Sequence, residues 1–457
     1  MKFITWAVLF ILGFSCTSLI SLKNKLLFRV GLSFPLGFGL NSLIMFLLDI
    51  AGIPINNLML IMGIDLLLSL VFIGLTVYIQ KPKLKELQNN FQVKELFPVN
   101  LAWVFLVTAI FFVAYVLIYK TVFWPVTTYD SVNGYDFLAK VIRHEGSFNN
   151  SIFSKEFPLS SVRSYYPPLV PLNLSIAYLA GFSNTKIVMA FYFASIIIAF
   201  YAILKHETNH LSAAFFTLLL IITPEFAAFS ALSSPNPPCT FYSAIGLLSF
   251  YHWYKTDQLR FYTIGLLLIF FALWTRTETV IFAISSGLLI LLKSIHHKKF
   301  KLLLIYGFLI FVALAVWQLY LKFNLQADSQ QPIIKYIMLD FDRLGRMLTK
   351  VFKVTFDINY YGLAVYFFLG MIAINIRNIL KEKDRLLLLG LIFSTWFFYL
   401  LIYNQIDTDY LPGDVAWIEA GYKRGFFYFL PLMFYYCATN KISLAIFNKI
   451  LILKKKD

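Results

Sequence analysis

Two carboxylates six residues apart, Asp130 and Asp136, stand in TTYDSVNGYDFLAK, directly after an apolar run that ends FWPV. A hydroxyl is a poor nucleophile until a base takes its proton. A carboxylate ionising near pH ~3.9 does this weakly in water and better once desolvation raises its proton affinity. Asp130 is the first candidate for that base; Asp136 either replaces it or supports it. If the displaced group is a lipid phosphate, its charge calls for a cation. Arginine suits because its planar fork binds phosphate oxygens bidentately and stays protonated. Arg424, beside Lys423 and just ahead of FFYFLPLMF, is placed for that role or for simple reach into an interface. Arg276 and Glu278 share a short turn between apolar runs, as binding groups or as a structural ion pair. Arg163 is a further phosphate or sugar contact, and it precedes Tyr165 and Tyr166, whose faces suit sugar rings as well as interfacial anchoring.

The cysteines, Cys16, Cys239 and Cys437, are too scattered for a metal knuckle or a disulfide framework. No metal site is expected, with a single divalent ion on Asp130 as the alternative, since arginines can carry the charge of a lipid monophosphate. The chain offers no glycine-rich phosphate loop, which speaks against nucleotide-sugar or ATP chemistry.

The elements that must position these residues are membrane helices. Of 457 residues, 60% are hydrophobic and 14% charged, far from the balance of a soluble domain. Apolar runs near the length that crosses a bilayer core of about 30 Å recur throughout. They cover 3–20, 28–50, 57–79, 98–119, 184–204, 211–230, 238–254, 259–274, 277–292, 302–320, 359–376, 386–403 and 425–440. The net charge of +16 then reads as loop charge, with no nucleic-acid partner implied. MKFITWAVLFILGFSC lacks a small-x-small cleavage site and reads as a retained first helix.

Basic loops at KPKLKELQNNFQVKE, SIHHKKFK and IRNILKEKDR and the tail LILKKKD belong on the cytoplasmic side. The expectation is an all-α protein of about 13 spans, its N-terminus outside. Segment 168–182, with Pro168 and Pro171, re-enters or lies at the interface. The units are 1–119, N-terminal spans; 120–183, an outer loop with the re-entrant piece; 184–320, a central bundle; 321–358, a second outer loop; and 359–457, C-terminal spans with a basic tail. In the second loop Ile334, Ile337, Met338, Phe341, Leu344, Leu348, Val351 and Phe352 form one apolar stripe, an amphipathic helix for the outer interface.

Four motifs in order carry a resemblance. Asp130 with DFLAKVIRHEGSF, SYYPPLVPLNLSIAYLAGFS, TRTET and VAWIEAGYKRGFFYFLPLMF together resemble the GT-C glycosyltransferases. The likeness is to bacterial members related to protein O-mannosyltransferases and the lipid A aminoarabinose transferase. It implies an inverting enzyme using a polyprenyl-phosphate sugar donor on the outer leaflet of a bacterial inner membrane. Asp130 would be its general base, and the acceptor a lipid, glycan or protein. The chain departs from the pattern at Tyr129, where Trp is common, at Thr277 in place of Pro, and at Asn236 in place of Asp. The alternatives are a flippase for lipid-linked sugars, which would want buried ionisable residues such as Asp49, Asp65 or Glu225, and an O-antigen-type ligase or polymerase.

Overall fold

The computed structural model describes residues 2–20, 25–80, 100–128, 130–153, 166–325, 341–405 and 416–453. Every regular element among them is helical. In chain order the main helices are α1 (Lys2–Leu19), α2 (Leu26–Ile50), α3 (Leu58–Gln80), α4 (Leu101–Phe123), α5 (Asp136–Glu145) and α6 (Leu169–Leu179). They continue as α7 (Ile187–Glu207), α8 (His210–Ile222), α9 (Pro224–Ser230), α10 (236–256), α11 (Leu259–Leu273), α12 (Val280–His297) and α13 (Lys301–Phe323). The last are α14 (Phe341–Thr355), α15 (Ala364–Ile379), α16 (Lys383–Gln405), α17 (416–439) and α18 (Lys441–Leu453).

Among the described residues, eight helical segments are long and apolar enough to cross a membrane, nine if α8 and α9 count as one bent span. Their exposed surface is itself apolar: on α4, Phe105, Phe111, Phe112, Tyr115, Tyr119 and Phe123 all face outward. A helix apolar on every side, packed on one face only, belongs in lipid, because a backbone that bonds entirely within itself needs no water.

Close helix approach depends on residues without side chains. A Cβ on Gly13 would lie 1.8 Å from the Ser33 carbonyl oxygen, and one on Gly37 would lie 2.0 Å from that of Leu9. The α1–α2 pair is therefore joined backbone to backbone, the small-residue contact typical of membrane helices.

Four sequence expectations change. The run 211–230 is not one straight helix: α8 and α9 meet at a bend of 73°. Pro224 lacks the N–H a continuing helix needs, and Thr223 before it is extended, with ψ 125°. The last expected span, 425–440, begins earlier, so Arg424 lies within a helical run instead of at its mouth. Residues 441–453, beyond the last expected span, form α18. The amphipathic stripe expected from Ile334 onward is helical from Phe341; residues 326–340 lie outside the described residues. That helix, α14, does not lie on the surface alone. Met347, Val351 and Val354 are buried, and α14 packs on the first part of α17.

The expected re-entrant segment is α6. Its 11 residues rise about 16 Å, roughly half a bilayer core. Leu169 through Tyr178 are all buried, so protein surrounds it on every side. Leu169 donates its N–H to the Trp274 carbonyl, and near the other end the Tyr178 O–H bonds Asp136.

Candidate functional site

Asp130 opens a five-residue π turn, Ser131–Tyr135, that runs without a break into α5. Turns of this wide type cluster at functional sites because they shift side chains out of the α-helical register. A second one, Phe241–Ile245, interrupts α10 just after Asn236. The first turn is pinned by Ser131, whose hydroxyl donates to the Ser233 carbonyl at 2.6 Å.

From the far end of the chain, Arg424 reaches Asp130, with Nη1 2.5 Å from Oδ2. The pair is only partly buried, Asp130 being 23% exposed. Arg424 Nε is buried and has no hydrogen-bond partner among the described residues. Next to it, Lys423 Nζ lies 3.7 Å from Glu225 Oε1 and over the Tyr360 ring. The Lys423 carbonyl accepts from Tyr361 at 2.9 Å. This end of α17 is therefore gripped on several sides before any ligand arrives.

One turn further along α17, Tyr428 belongs to a second cluster. Its hydroxyl lies 3.0 Å from Asn236 Oδ1 and 3.3 Å from Glu278 Oε1. Arg276 pairs with Glu278 at 2.7 Å and donates to Asn236 at 3.2 Å. The guanidinium sits 5.1 Å above the centre of the Tyr166 ring, which stacks in turn on Tyr135, the last residue of the π turn. Its Nε too is without a partner among the described residues. Tyr135, Tyr166, Arg276, Asn236, Glu278 and Tyr428 thus form one contiguous cluster, linked along the chain to the Asp130–Arg424 pair by the π turn and by α17.

Asp136 is placed differently. It is 1% exposed and already engaged: Tyr178 O–H lies 2.9 and 2.8 Å from its two oxygens, Thr185 O–H donates at 2.5 Å, and Lys140 sits 3.0 Å away. The carboxylate joins α5 to the end of α6 and to the turn that precedes α7. The structure therefore brings Asp130, Arg424, Arg276, Glu278 and Tyr166 to one end and separates Asp136 into a packed network of its own. Arg163 and Tyr165 lie outside the described residues.

Sequence reading missed Tyr428, Tyr135 and the pairing of Lys423 with Glu225. The four-residue spacing of Arg424 and Tyr428 was a usable signal for the first; nothing local pointed to the others. It also missed KHETNH, where the one group of three potential metal ligands among the described residues begins. His206, Glu207 and His252 bring their ligand atoms within 4.8 Å at the opposite end of the bundle. Glu207 there is also paired with Lys255 at 2.9 Å. Lys25 is close enough that burial first, then Arg260's charge, pulls its amine down to about 8, with Glu207 opposing. Such a cationic setting competes with a metal ion for the one carboxylate. Asp130 belongs to no metal-ligand group among the described residues, and Arg424 is one of its partners. Compared with protein-family models, curated proteins and solved structures, the chain matches none.

Proposed function

We propose that this chain is a membrane-embedded inverting glycosyltransferase that moves a sugar from a polyprenyl-phosphate donor to an acceptor hydroxyl. The observation that carries the reading is the ion pair between Asp130 and Arg424, a candidate base held beside a candidate phosphate ligand. In the proposed step the acceptor oxygen attacks the anomeric carbon from the face opposite the phosphate. The carbon–oxygen bond to the phosphate breaks as the new one forms. The acceptor proton passes to Asp130, and the polyprenyl phosphate leaves with the negative charge. Arg424 and Arg276, each with a buried Nε without a partner among the described residues, are arranged to receive that charge.

Under this reading the nine crossings are joined by 236–256, 259–273, 364–379 and 416–439, thirteen in all. The Asp130 end faces outward from a bacterial inner membrane, and the Glu207 end faces the cytoplasm. The acceptor is a lipid, glycan or protein hydroxyl. Transfer from radiolabelled polyprenyl-phosphate sugars, in membranes holding wild type or Asp130→Asn, is the direct test. Loss in the variant supports both the reaction class and the base; equal transfer removes Asp130 from the reaction. A chelator arm in the same assay decides whether a divalent ion joins Asp130. A cysteine at exposed His297, in a background without native cysteines, should resist an impermeant outer-face reagent, and labelling there would reverse the topology.

One observation favours transport of lipid-linked sugars as a second reading. Asp65, midway along α3, is 0% exposed, and neither oxygen has a hydrogen-bond partner among the described residues. An intramembrane carboxyl without a partner is a functional candidate. Asp65→Asn should abolish lipid translocation under that reading and leave sugar transfer intact under the first.

A further inference from the structure

A cavity of about 110 Å³ lies beside the π turn that begins at Ser131. Its wall is made by the end of α4 and the strand of chain after it, by Thr127, Thr128 and Ser131, by 231–233, and by Lys186 at the start of α7. Two of the lining residues are lysines, Lys120 and Lys186, and none is Asp or Glu. Lys186 is 4% exposed, and its ammonium makes no ion pair or side-chain hydrogen bond among the described residues. Burial first, then the charge of neighbouring Lys120, lowers its amine below the usual value. An ammonium drawn partly out of water, with a second cation nearby and no carboxylate in the wall, is a disfavoured arrangement, and a bound anion would offset it.

The pocket is held open by bonds that do not involve the lysines. Asn184 donates its side-chain N–H to the carbonyls of Val122 and Trp124, each at 2.8 Å, tying the end of α4 to the start of α7. Thr128 and Ser131 share a hydrogen bond of 2.6 Å, and Ser131 is bonded onward to the Ser233 carbonyl. The Ser233 hydroxyl, in the same wall, has no partner among the described residues. A preformed cationic hollow lined by hydroxyls suits phosphate oxygens, which accept from ammonium and hydroxyl donors alike.

The approach to the pocket identifies what carries the phosphate. Along the exposed face of α4, Tyr115, Tyr119 and Phe123 form a ladder of rings with centres 6.1 and 4.4 Å apart. It ends at exposed Trp124, whose ring lies 5.1 Å from the Lys120 ammonium. An acyl or prenyl chain lying on that face would bring its head to the lysines. We propose that the Lys120–Lys186 pocket is a binding site for the anionic phosphate head of a membrane lipid whose tail follows the α4 ladder. The site stands on its own geometry and holds under either reading of the function.

The test uses the full-length protein in neutral detergent, with phosphatidic acid as probe, phosphatidylcholine as zwitterionic control and inorganic phosphate as the tail-free arm. Native mass spectrometry reads retained lipid and thermal melting reads stabilisation. One equivalent of phosphatidic acid should survive where phosphatidylcholine is stripped. Its affinity should fall about 10-fold or more in Lys186→Met and in Lys120→Gln, the loss expected for one charged hydrogen bond. Lipid-free Lys186→Met should fold and melt no lower than wild type, because it removes a partly desolvated charge that has no ion-pair partner among the described residues. Should that variant fail to fold, Lys120→Gln at the half-buried position carries the comparison alone. Equal phosphatidic acid retention by wild type and the folded lysine variants would overturn the site. Binding of inorganic phosphate as tight as that of phosphatidic acid would overturn the lipid as its source.

Discussion

Asp130 and Asp136 sit six residues apart on one stretch of chain, and their surroundings have little in common. Asp136 is enclosed by Tyr178, Thr185 and Lys140, all from residues within 49 positions of it, and both of its oxygens are occupied. Asp130 is partly exposed and meets the guanidinium of Arg424, 294 residues away. A carboxylate saturated by hydroxyl donors is a joint. Its removal strands those donors, while a substrate has no direction from which to reach it. A partly exposed carboxylate that holds a long, flexible cation can release it toward a ligand, because arginine keeps further donors to offer a phosphate. Burial alone therefore does not mark the working acid of this pair; the kind of partner does.

Five substitutions at four positions sharpen or break the contrast, with Asp130→Asn expected to have the largest effect. It should lower sugar transfer by about 10²- to 10⁴-fold, the scale of a lost general base, while folded yield and melting temperature hold. Asp136→Ala should behave in reverse. Tyr178 and Thr185 would each lose a buried acceptor, at about 1–3 kcal/mol per stranded hydroxyl, so melting temperature should drop while transfer per folded molecule stays near wild type. If Asp136→Ala instead abolishes transfer in folded protein and Asp130→Asn does not, the assignments are exchanged. Arg424→Ala should cost about 10- to 100-fold, mainly as weaker donor saturation, with Arg424→Lys recovering part because a point charge replaces a fork. Full activity in Arg424→Ala would remove it from the site. The smallest effect belongs to Lys140→Ala. Its side chain is 55% exposed beside Asp136, so unfolding free energy in chemical denaturation should fall by less than about 1 kcal/mol.

Much of the helical plan was legible before any coordinates. α2, α3 and α13 follow the expected runs closely because continuous apolar sequence leaves the backbone no choice in lipid. The bend at Pro224 is also written in the chain, in TPEF, where proline outweighs the apolar run around it. The early start of α17 and the existence of α18 were not legible from hydropathy. Both segments mix Lys, Asn or Gly among apolar residues, and packing against α14 and α15, not composition, accompanies their helical form. At the site, the types of the working residues were visible as ionisable or aromatic groups at the ends of apolar runs. Their grouping was not: TRTET, SSPNPPC and FFYF meet through Arg276, Asn236 and Tyr428, which no periodicity connects.

What this sequence determined by itself is the class of solvent it must live in and the set of charges it keeps at the ends of its helices. Both follow from local physical chemistry, the cost of an unsatisfied backbone or an ion in hydrocarbon, which each segment meets alone. Only the tertiary structure decided which carboxylate meets an arginine and which meets hydroxyls. That choice depends on contacts across tens to hundreds of residues, fixed by how α17, α6 and α10 pack around the π turn, and no stretch of sequence contains both partners.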